Sequence, residues 1–300
     1  MEFKQLKLSD REIFESFFGL CQHRLSPYQF SNIFIWKGLF DIFYAVLNGC
    51  LCVFFKDKTG CFMYLPPLGG NPDSSVINRC FAVMDGFNAN KAISRIENVE
   101  EAGLKFYRNL GYGYFVKPGD YLCLRRDIVS LKGNRFKPKR ASYNYCIRQY
   151  NPQLRLFQEG DQEACLSLYQ GWAGERKKKF FDPVYQAMLD DGFSCQSAAI
   201  ENFSQLDFSA YVVEIKNRIT GYTFGFPLNR TTFCILFEIC DLDYQGISQF
   251  IFSQFCRQLS GYRYINIMDD SGLANLRRVK LSYHPVEIIP NYIIKRKANG

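Results

Sequence analysis

Arg95-Ile96-Glu97-Asn98-Val99-Glu100-Glu101-Ala102-Gly103-Leu104-Lys105-Phe106-Tyr107-Arg108 and, 169 residues later, Tyr264-Ile265-Asn266-Ile267-Met268-Asp269-Asp270-Ser271-Gly272-Leu273-Ala274-Asn275-Leu276-Arg277 decide how this chain is read. Each stretch runs from a strand-like piece through a paired-acid turn into Gly-Leu and a helical segment ending on arginine. In register, Ile96 matches Ile265, Glu100-Glu101 match Asp269-Asp270, Gly103-Leu104 match Gly272-Leu273, and Arg108 matches Arg277. Such an echo implies two copies of one αβ module. A chain of 300 residues also exceeds the size at which a single core keeps growing. The expected boundaries are 1–134 and 135–300, with a basic helix over about 136–150 as connector.

Working outward, the first copy opens with Ser9-Asp10 capping a helix whose Ile13, Phe14, Phe17 and Phe18 share one face. Three strand-like runs follow at 42–47, 50–56 and 61–65, the first two split by Asn48-Gly49, the pair favoured in tight hairpins. Asn71-Pro72 predicts a helix start. A strand at 92–96, a helix at 100–109 and strands at 112–116 and 121–124 complete the copy. The second copy repeats the order: helices near 162–171 and 183–190, strands at 208–215, 221–227 and 233–239, a helix at 247–259, a strand at 262–267, a helix at 273–281 and a strand at 286–295. The fold class is α/β with mixed sheets, neither doubly wound nor all-β.

Composition is globular, with 47% hydrophobic and 22% charged residues. No run approaches the roughly 20 apolar residues that span a bilayer, and the N-terminus lacks the features of a signal peptide, so a cytoplasmic protein is expected. The twelve cysteines are scattered without a CxxC pair or a His/Cys cluster. Reduced core thiols, and no metal, are therefore expected. The net charge of +8 is concentrated: eight basic residues lie between Arg125 and Arg148 against Asp127 alone, and Arg176-Lys177-Lys178-Lys179 follows. This is either a solvated face or a surface for phosphates, belonging to RNA, anionic lipid or a nucleotide. Within the connector, Phe136, Tyr143, Tyr145 and Tyr150 alternate with Lys137, Lys139, Arg140 and Arg148, a mixture suited to unpaired bases.

The run Ala102-Gly103-Leu104-Lys105-Phe106-Tyr107-Arg108-Asn109-Leu110-Gly111-Tyr112 resembles the element that follows the fifth strand in GNAT-superfamily acyltransferases. Together with the stretches 28–36, 131–140 and Leu276-Arg277-Arg278-Val279-Lys280-Leu281-Ser282-Tyr283-His284-Pro285, the chain is similar to the C-terminal domain of bacterial phosphatidylglycerol lysyltransferases. The resemblance covers nearly the whole chain. It implies tandem GNAT-like domains related to FemABX aminoacyltransferases, with aminoacyl-tRNA as donor, no required cofactor, and an amine or hydroxyl acceptor. Acyl-CoA is the alternative donor, and tRNA or another anionic ligand the expected partner. Peripheral contact with anionic lipid is left open, as is the oligomeric state.

In GNAT folds the donor's pyrophosphate rests on the start of the helix after the fourth strand. Here that loop is Asp241-Leu242-Asp243-Tyr244-Gln245-Gly246-Ile247-Ser248. It keeps Gly246 but has Asp243 where the superfamily carries a basic or amide residue. A carboxylate opposes a pyrophosphate and suits the ammonium of an aminoacyl ester, so Asp241, Asp243, Tyr244 and Gly246 become candidate substrate ligands. Glu238, on the preceding strand, joins His284 and Tyr283 as a candidate catalytic group. Arg277 and Lys280, three apart on a helix, are candidates for phosphates, and Asp269 and Asp270 for the substrate or for pairing with those cations. Lys137, Lys139, Arg140 and Arg148 are the nucleic-acid candidates. Local capping and salt bridging explain the same acids and cations without any ligand. The first copy has Arg108 but Gly111 in place of the second cation, so the second copy is the better site. The rival reading is a GNAT-shaped module that binds RNA or an anionic ligand without catalysis. No Gly-x-Ser-x-Gly, P-loop or HExxH pattern supports a hydrolase or nucleotidase.

Overall fold

Asn48 and Gly49 take φ values of 49° and 74° in the computed structural model, which describes residues 2–297. Two consecutive left-handed residues match the twist of a tight hairpin. They join β2 (Asp41–Leu47) to β3 (Cys50–Lys56), after β1 (Lys4–Gln5), α1 (Arg11–Phe18) and α2 (Phe30–Phe34). Next come β4 (Cys61–Met63), α3 (Ser74–Phe87), β5 (Ile96–Val99), α4 (Leu104–Asn109) and β6 (Gly113–Leu124). The crossover through α3 sets β5 parallel to β4, with Met63 opposite Ile96. One face of α3, carrying Val76, Ile77, Cys80, Phe81 and Met84, packs with Phe43, Cys52, Phe54, Met63 and Ile96. Its i, i+1, i+4, i+5, i+8 spacing is that of a one-sided amphipathic helix.

The remaining elements are α5 (Arg125–Ser130), α6 (Lys137–Tyr150), β7 (Gln153–Leu156), α7 (Gln162–Lys179), α8 (Pro183–Glu201), β8 (Ser209–Ile215), β9 (Arg218–Asn229), β10 (Thr232–Cys240), α9 (Ile247–Gln258), β11 (Tyr264–Asn266), α10 (Ala274–Leu281) and β12 (Glu287–Lys295). Strands β7 to β10 form an antiparallel meander, and α9 returns the chain so that β11 runs parallel to β10. The two quoted stretches thus occupy matching places, β5–α4 and β11–α10.

The chain forms two compact units. One holds the residues up to Asp120, Asp269–Gly272 and those from Ile288 on; the other holds Tyr121–Met268 and Leu273–Glu287. This division differs from a cut at 134/135, and strand exchange is the reason. In the first unit β5 pairs with β12, Val99 facing Tyr292 and Ile96 facing Ile294. In the second, β11 pairs with the end of β6, Ile265 facing Cys123 and Asn266 facing Leu122. Each sequence copy lends its closing strand to the other unit.

Several elements depart from their expected limits: α7 and α8 run on to Lys179 and Glu201 rather than ending near 171 and 190, and three others shift for local reasons. α3 begins at Ser74 because the Asp73 carboxylate, not Asn71, accepts the Val76 amide at 3.0 Å. β5 lies further along than expected because Asn90 accepts the Ala92 amide at 2.9 Å and holds Lys91–Ile93 in a tight turn. β6 runs unbroken through Lys117-Pro118-Gly119, where Lys117 Nζ reaches Glu97 at 2.9 Å and Asn98 at 3.1 Å.

Strand exchange has a direct test. Fragments 1–134 and 135–300, expressed separately, are expected to show no cooperative transition in circular-dichroism melts, since β5 then lacks β12 and β11 lacks β6; a sharp melt from either fragment alone refutes the exchange.

Candidate functional site

Along β10, parallel pairing with β11 stops at Cys234 opposite Asn266, yet β10 continues to Cys240 with β9 on its other side. Leu236 is an extra residue in that ladder: Ile235 faces Gly225 and Phe237 faces Phe224. Such a bulge re-aims the residues after it, and Glu238 follows two positions on. Glu238 is half-buried, and its Oε2 is shielded from solvent with no hydrogen-bond partner among the described residues. Burial pushes its carboxyl up to about 8, the charge of Lys139 drawing it only part of the way back.

Lys139 comes from α6. Burial lowers its ammonium below the ordinary lysine value, against the pull of Glu238, and its Nζ lies 4.0 Å from the centroid of the Tyr283 ring. Tyr283, just past α10, is 7% exposed and meets Phe252 edge to face at 4.5 Å. Burial and then the nearby Glu238 hold its hydroxyl well above the usual range, while the Gln249 side chain on α9 eases it back. The three groups thus converge in the second unit as a carboxyl titrating near neutrality, a weakened ammonium and a phenol that stays protonated. That set can accept, hold and donate protons at physiological pH.

The sequence candidates divide accordingly. Glu238 and Tyr283 come together, and Lys139 joins them rather than standing with the surface cations. His284, at φ 53°, turns elsewhere: its Nε2 is 3.2 Å from the Arg135 carbonyl and its ring lies edge-on to Phe136 at 5.1 Å. A carbonyl only accepts, so Nε2 carries the proton there. Asp241 accepts the Asp243 amide at 3.1 Å, Asp243 is exposed, and Tyr244 packs edge-on to Tyr150 at 5.2 Å. Gly246 has φ 86°, and a Cβ there would collide with the Ser142 carbonyl of α6. Its identity is thereby explained by helix packing.

Lys280 donates its ammonium to the Ile267 carbonyl, whereas Arg277 is exposed on α10. In the first unit, Asp269 accepts the Ser271 amide at 2.7 Å and buried Asp270 the Gly272 amide at 3.0 Å. Arg140 donates to the carbonyls of Leu131 and Gly133 and fastens the turn before α6. Lys137 and Arg148 stand exposed on α6. Gln249 was missed in the sequence, although Ser248-Gln249 is a polar pair between the buried Ile247 and Phe250. Among the described residues, no group of three or more His, Cys, Asp or Glu side chains has the geometry to hold a metal ion, and no helix is long and apolar enough to cross a membrane.

The profile of the family described as "Phosphatidylglycerol lysyltransferase, C-terminal" matches residues 18–295. An uncharacterized protein of Mycoplasmoides gallisepticum is 28% identical over 181 residues, 59% of this chain and 56% of that protein, so the match spans little more than half of this relative's length. Among solved structures, a conserved protein of unknown function from Bacteroides thetaiotaomicron has a TM-score of 0.88 at 24% identity, covering 99% of this chain and 100% of that one. L-PGS from Bacillus licheniformis has a TM-score of 0.66 at 18% identity, covering 97% and 93%. FemX has a TM-score of 0.60 at 10% identity, covering 98% and 97%. The fold is therefore the tandem GNAT-like one shared with FemX.

Glu238 ties stability to pH. The folded state keeps a proton that the unfolded chain loses near the ordinary value of 4.5, so stability present below that pH is lost as pH rises through about 8. Melting curves from pH 5 to 9 are expected to show a decline on the order of 4 kcal/mol that Glu238→Gln removes. Equal slopes in the two proteins would contradict the desolvated carboxyl.

Proposed function

The chain belongs to the phosphatidylglycerol lysyltransferase C-terminal family, and on that footing we propose that it transfers an aminoacyl group from aminoacyl-tRNA to an amine or hydroxyl acceptor, with the site in the second unit. The observation that carries this reading is the solvent-shielded Glu238 Oε2, without a hydrogen-bond partner among the described residues, near Lys139 and Tyr283. Acyl transfer needs an acceptor for the nucleophile's proton, charge to offset the developing oxyanion, and a donor for the leaving oxygen.

In this mechanism the acceptor's nitrogen or oxygen attacks the ester carbonyl. A new C–N or C–O bond forms, and the ester C–O bond to the ribose breaks. Ionised Glu238 takes the proton released by the nucleophile and returns it to the leaving ribose hydroxyl, so the carboxylate is regenerated. Tyr283, held protonated by burial and by Glu238, donates a hydrogen bond to the carbonyl oxygen, and the Lys139 ammonium offsets its charge. Exposed Asp243, at the loop before α9, supplies a carboxylate for the donor's ammonium. The same carboxylate disfavours the pyrophosphate of an acyl-CoA, which makes aminoacyl-tRNA the favoured donor. Exposed Lys137 and Arg148 on α6 and Arg277 on α10 are the cations available to its phosphates.

Transfer of radiolabel from aminoacyl-tRNA into an acceptor pool tests the reading. The kcat/KM is expected to rise with pH to a plateau above about 8, the pH at which Glu238 ionises. Glu238→Gln should lose that limb and about 100-fold or more in rate, Tyr283→Phe and Lys139→Met should each lose roughly tenfold, and His284→Asn should stay near wild type. Full activity with the limb intact in Glu238→Gln removes the mechanism; binding of tRNA without transfer under any condition favours the non-catalytic module, and transfer from acyl-CoA alone replaces the donor.

A further inference from the structure

Strand β6 is paired unevenly along its two edges. On one edge β12 runs beside it: a Cβ on Gly119 would collide with the Ile289 carbonyl, and Tyr114 meets Tyr292 edge to face at 5.8 Å. On the other edge, pairing begins at Tyr121, whose amide donates to the Met268 carbonyl at 3.1 Å, and continues along β11 from Leu122 to Leu124. From Gly113 to Gly119 this second edge has no strand partner among the described residues. Pro118 lies in that stretch, and a residue without an amide hydrogen is tolerated where a strand edge is open. Tyr114, Phe115 and Val116 in the same stretch are 43%, 58% and 73% exposed. Successive side chains on a strand point to opposite faces, so β6 is bare on both faces here. An uncovered edge carrying large apolar residues is a template for another strand.

We propose that this stretch of β6 binds an extended, acidic segment of a partner protein, which adds to the open edge as a further strand. Two features select this occupant. The edge offers backbone donors and acceptors at strand spacing, which an extended chain matches along its length. The charge beside it then distinguishes a foreign segment from a second copy of this chain. Lys295 Nζ lies 5.7 Å from the centroid of the Phe115 ring, and Lys297 stands beside Gly113. Neither lysine enters an ion pair among the described residues. Of the acids nearby, Glu97 is held by Arg95 at 2.6 Å and by Lys117 at 2.9 Å, and Asp85 by Arg296 at 2.6 Å. Glu101, near Tyr292, is outnumbered by the two lysines. Edge-to-edge pairing of two copies would set these cations against their own counterparts, whereas carboxylates on an added strand meet them favourably. The proposal stands apart from the transfer reading, because binding is measured without turnover.

The probe is a fluorescein-labelled peptide, Thr-Val-Glu-Val-Glu-Val-Thr, titrated into the full chain and followed by anisotropy. Its alternation lets valines pack with Tyr114 and Val116 while the glutamates lie on the Phe115 and Lys295 side. Binding is expected with a Kd on the order of 100 μM or tighter, and should weaken as salt rises. Two versions N-methylated at alternate residues, in opposite phase, should differ: one loses binding and the other keeps it, because alternate amides of a strand face the same neighbour. F115S/V116S should weaken the peptide about tenfold or more, and Lys295→Glu should do the same while improving a peptide with lysine in place of glutamate. All three positions lie at the surface, so melting temperatures of the variants should match wild type. The proposal is overturned if the glutamate peptide does not bind, if the two N-methylated versions bind equally, or if sedimentation shows a dimer that F115S/V116S dissociates, since a second copy then covers the edge.

Discussion

The pairing of β12 with β5, and of the end of β6 with β11, is the constraint on which the remainder of this protein rests. A strand such as β5, four residues long and held on one side by a single residue pair with β4, cannot keep its backbone satisfied without a second neighbour. That neighbour is the last strand of the chain. The second unit has the reciprocal debt, since β11 is three residues long and takes its antiparallel partner from Leu122–Leu124. With these pairings, neither sequence copy is complete by itself.

Within the second unit, the same short β11 has a chemical effect. Because it ends at Asn266, β10 runs on without a parallel partner, and the bulge at Leu236 sets Glu238 facing α6 and the turn after α10. Placing a carboxyl there costs desolvation that one nearby ammonium does not fully offset. A purely structural acid would be expected to gather hydrogen bonds, as Asp161 does from Arg155 at 2.6 and 2.8 Å and from the Gln158 amide at 2.8 Å. Glu238 Oε2 has no such partner among the described residues.

Much of the architecture was legible because local chemistry dictated it. Asn48-Gly49 could only be a turn, and the Gly-Leu echo marked both strand–helix junctions. Strand exchange was not legible, since each copy reads as self-sufficient and partner choice is a long-range property that local propensity does not encode. Glu238 and Tyr283, singled out from their positions relative to predicted elements, lie near one another in the second unit. Lys139 was assigned to a phosphate surface because its charge dominated the reading, while its burial depended on where α6 packs. His284, read as a proton acceptor, has a backbone at positive φ and its ring directed to the Arg135 carbonyl. Gly246, read as a ligand cradle, proved to be the point where α9 approaches the Ser142 carbonyl.

The thiols described above give the molecule an internal record of its own openings. Eleven of the twelve cysteines are buried, and Cys21 alone is exposed. Burial pushes Cys61 and Cys165 up to about 12 and Cys146 up to about 11, so thiolate appears only when the surrounding core parts. Cys50, Cys52, Cys61 and Cys80 belong to one unit, whereas Cys123, Cys146, Cys165, Cys195, Cys234, Cys240 and Cys256 belong to the other. The order in which an alkylating reagent marks these two sets reports which half of the molecule breathes first, on the native chain and without any engineered label.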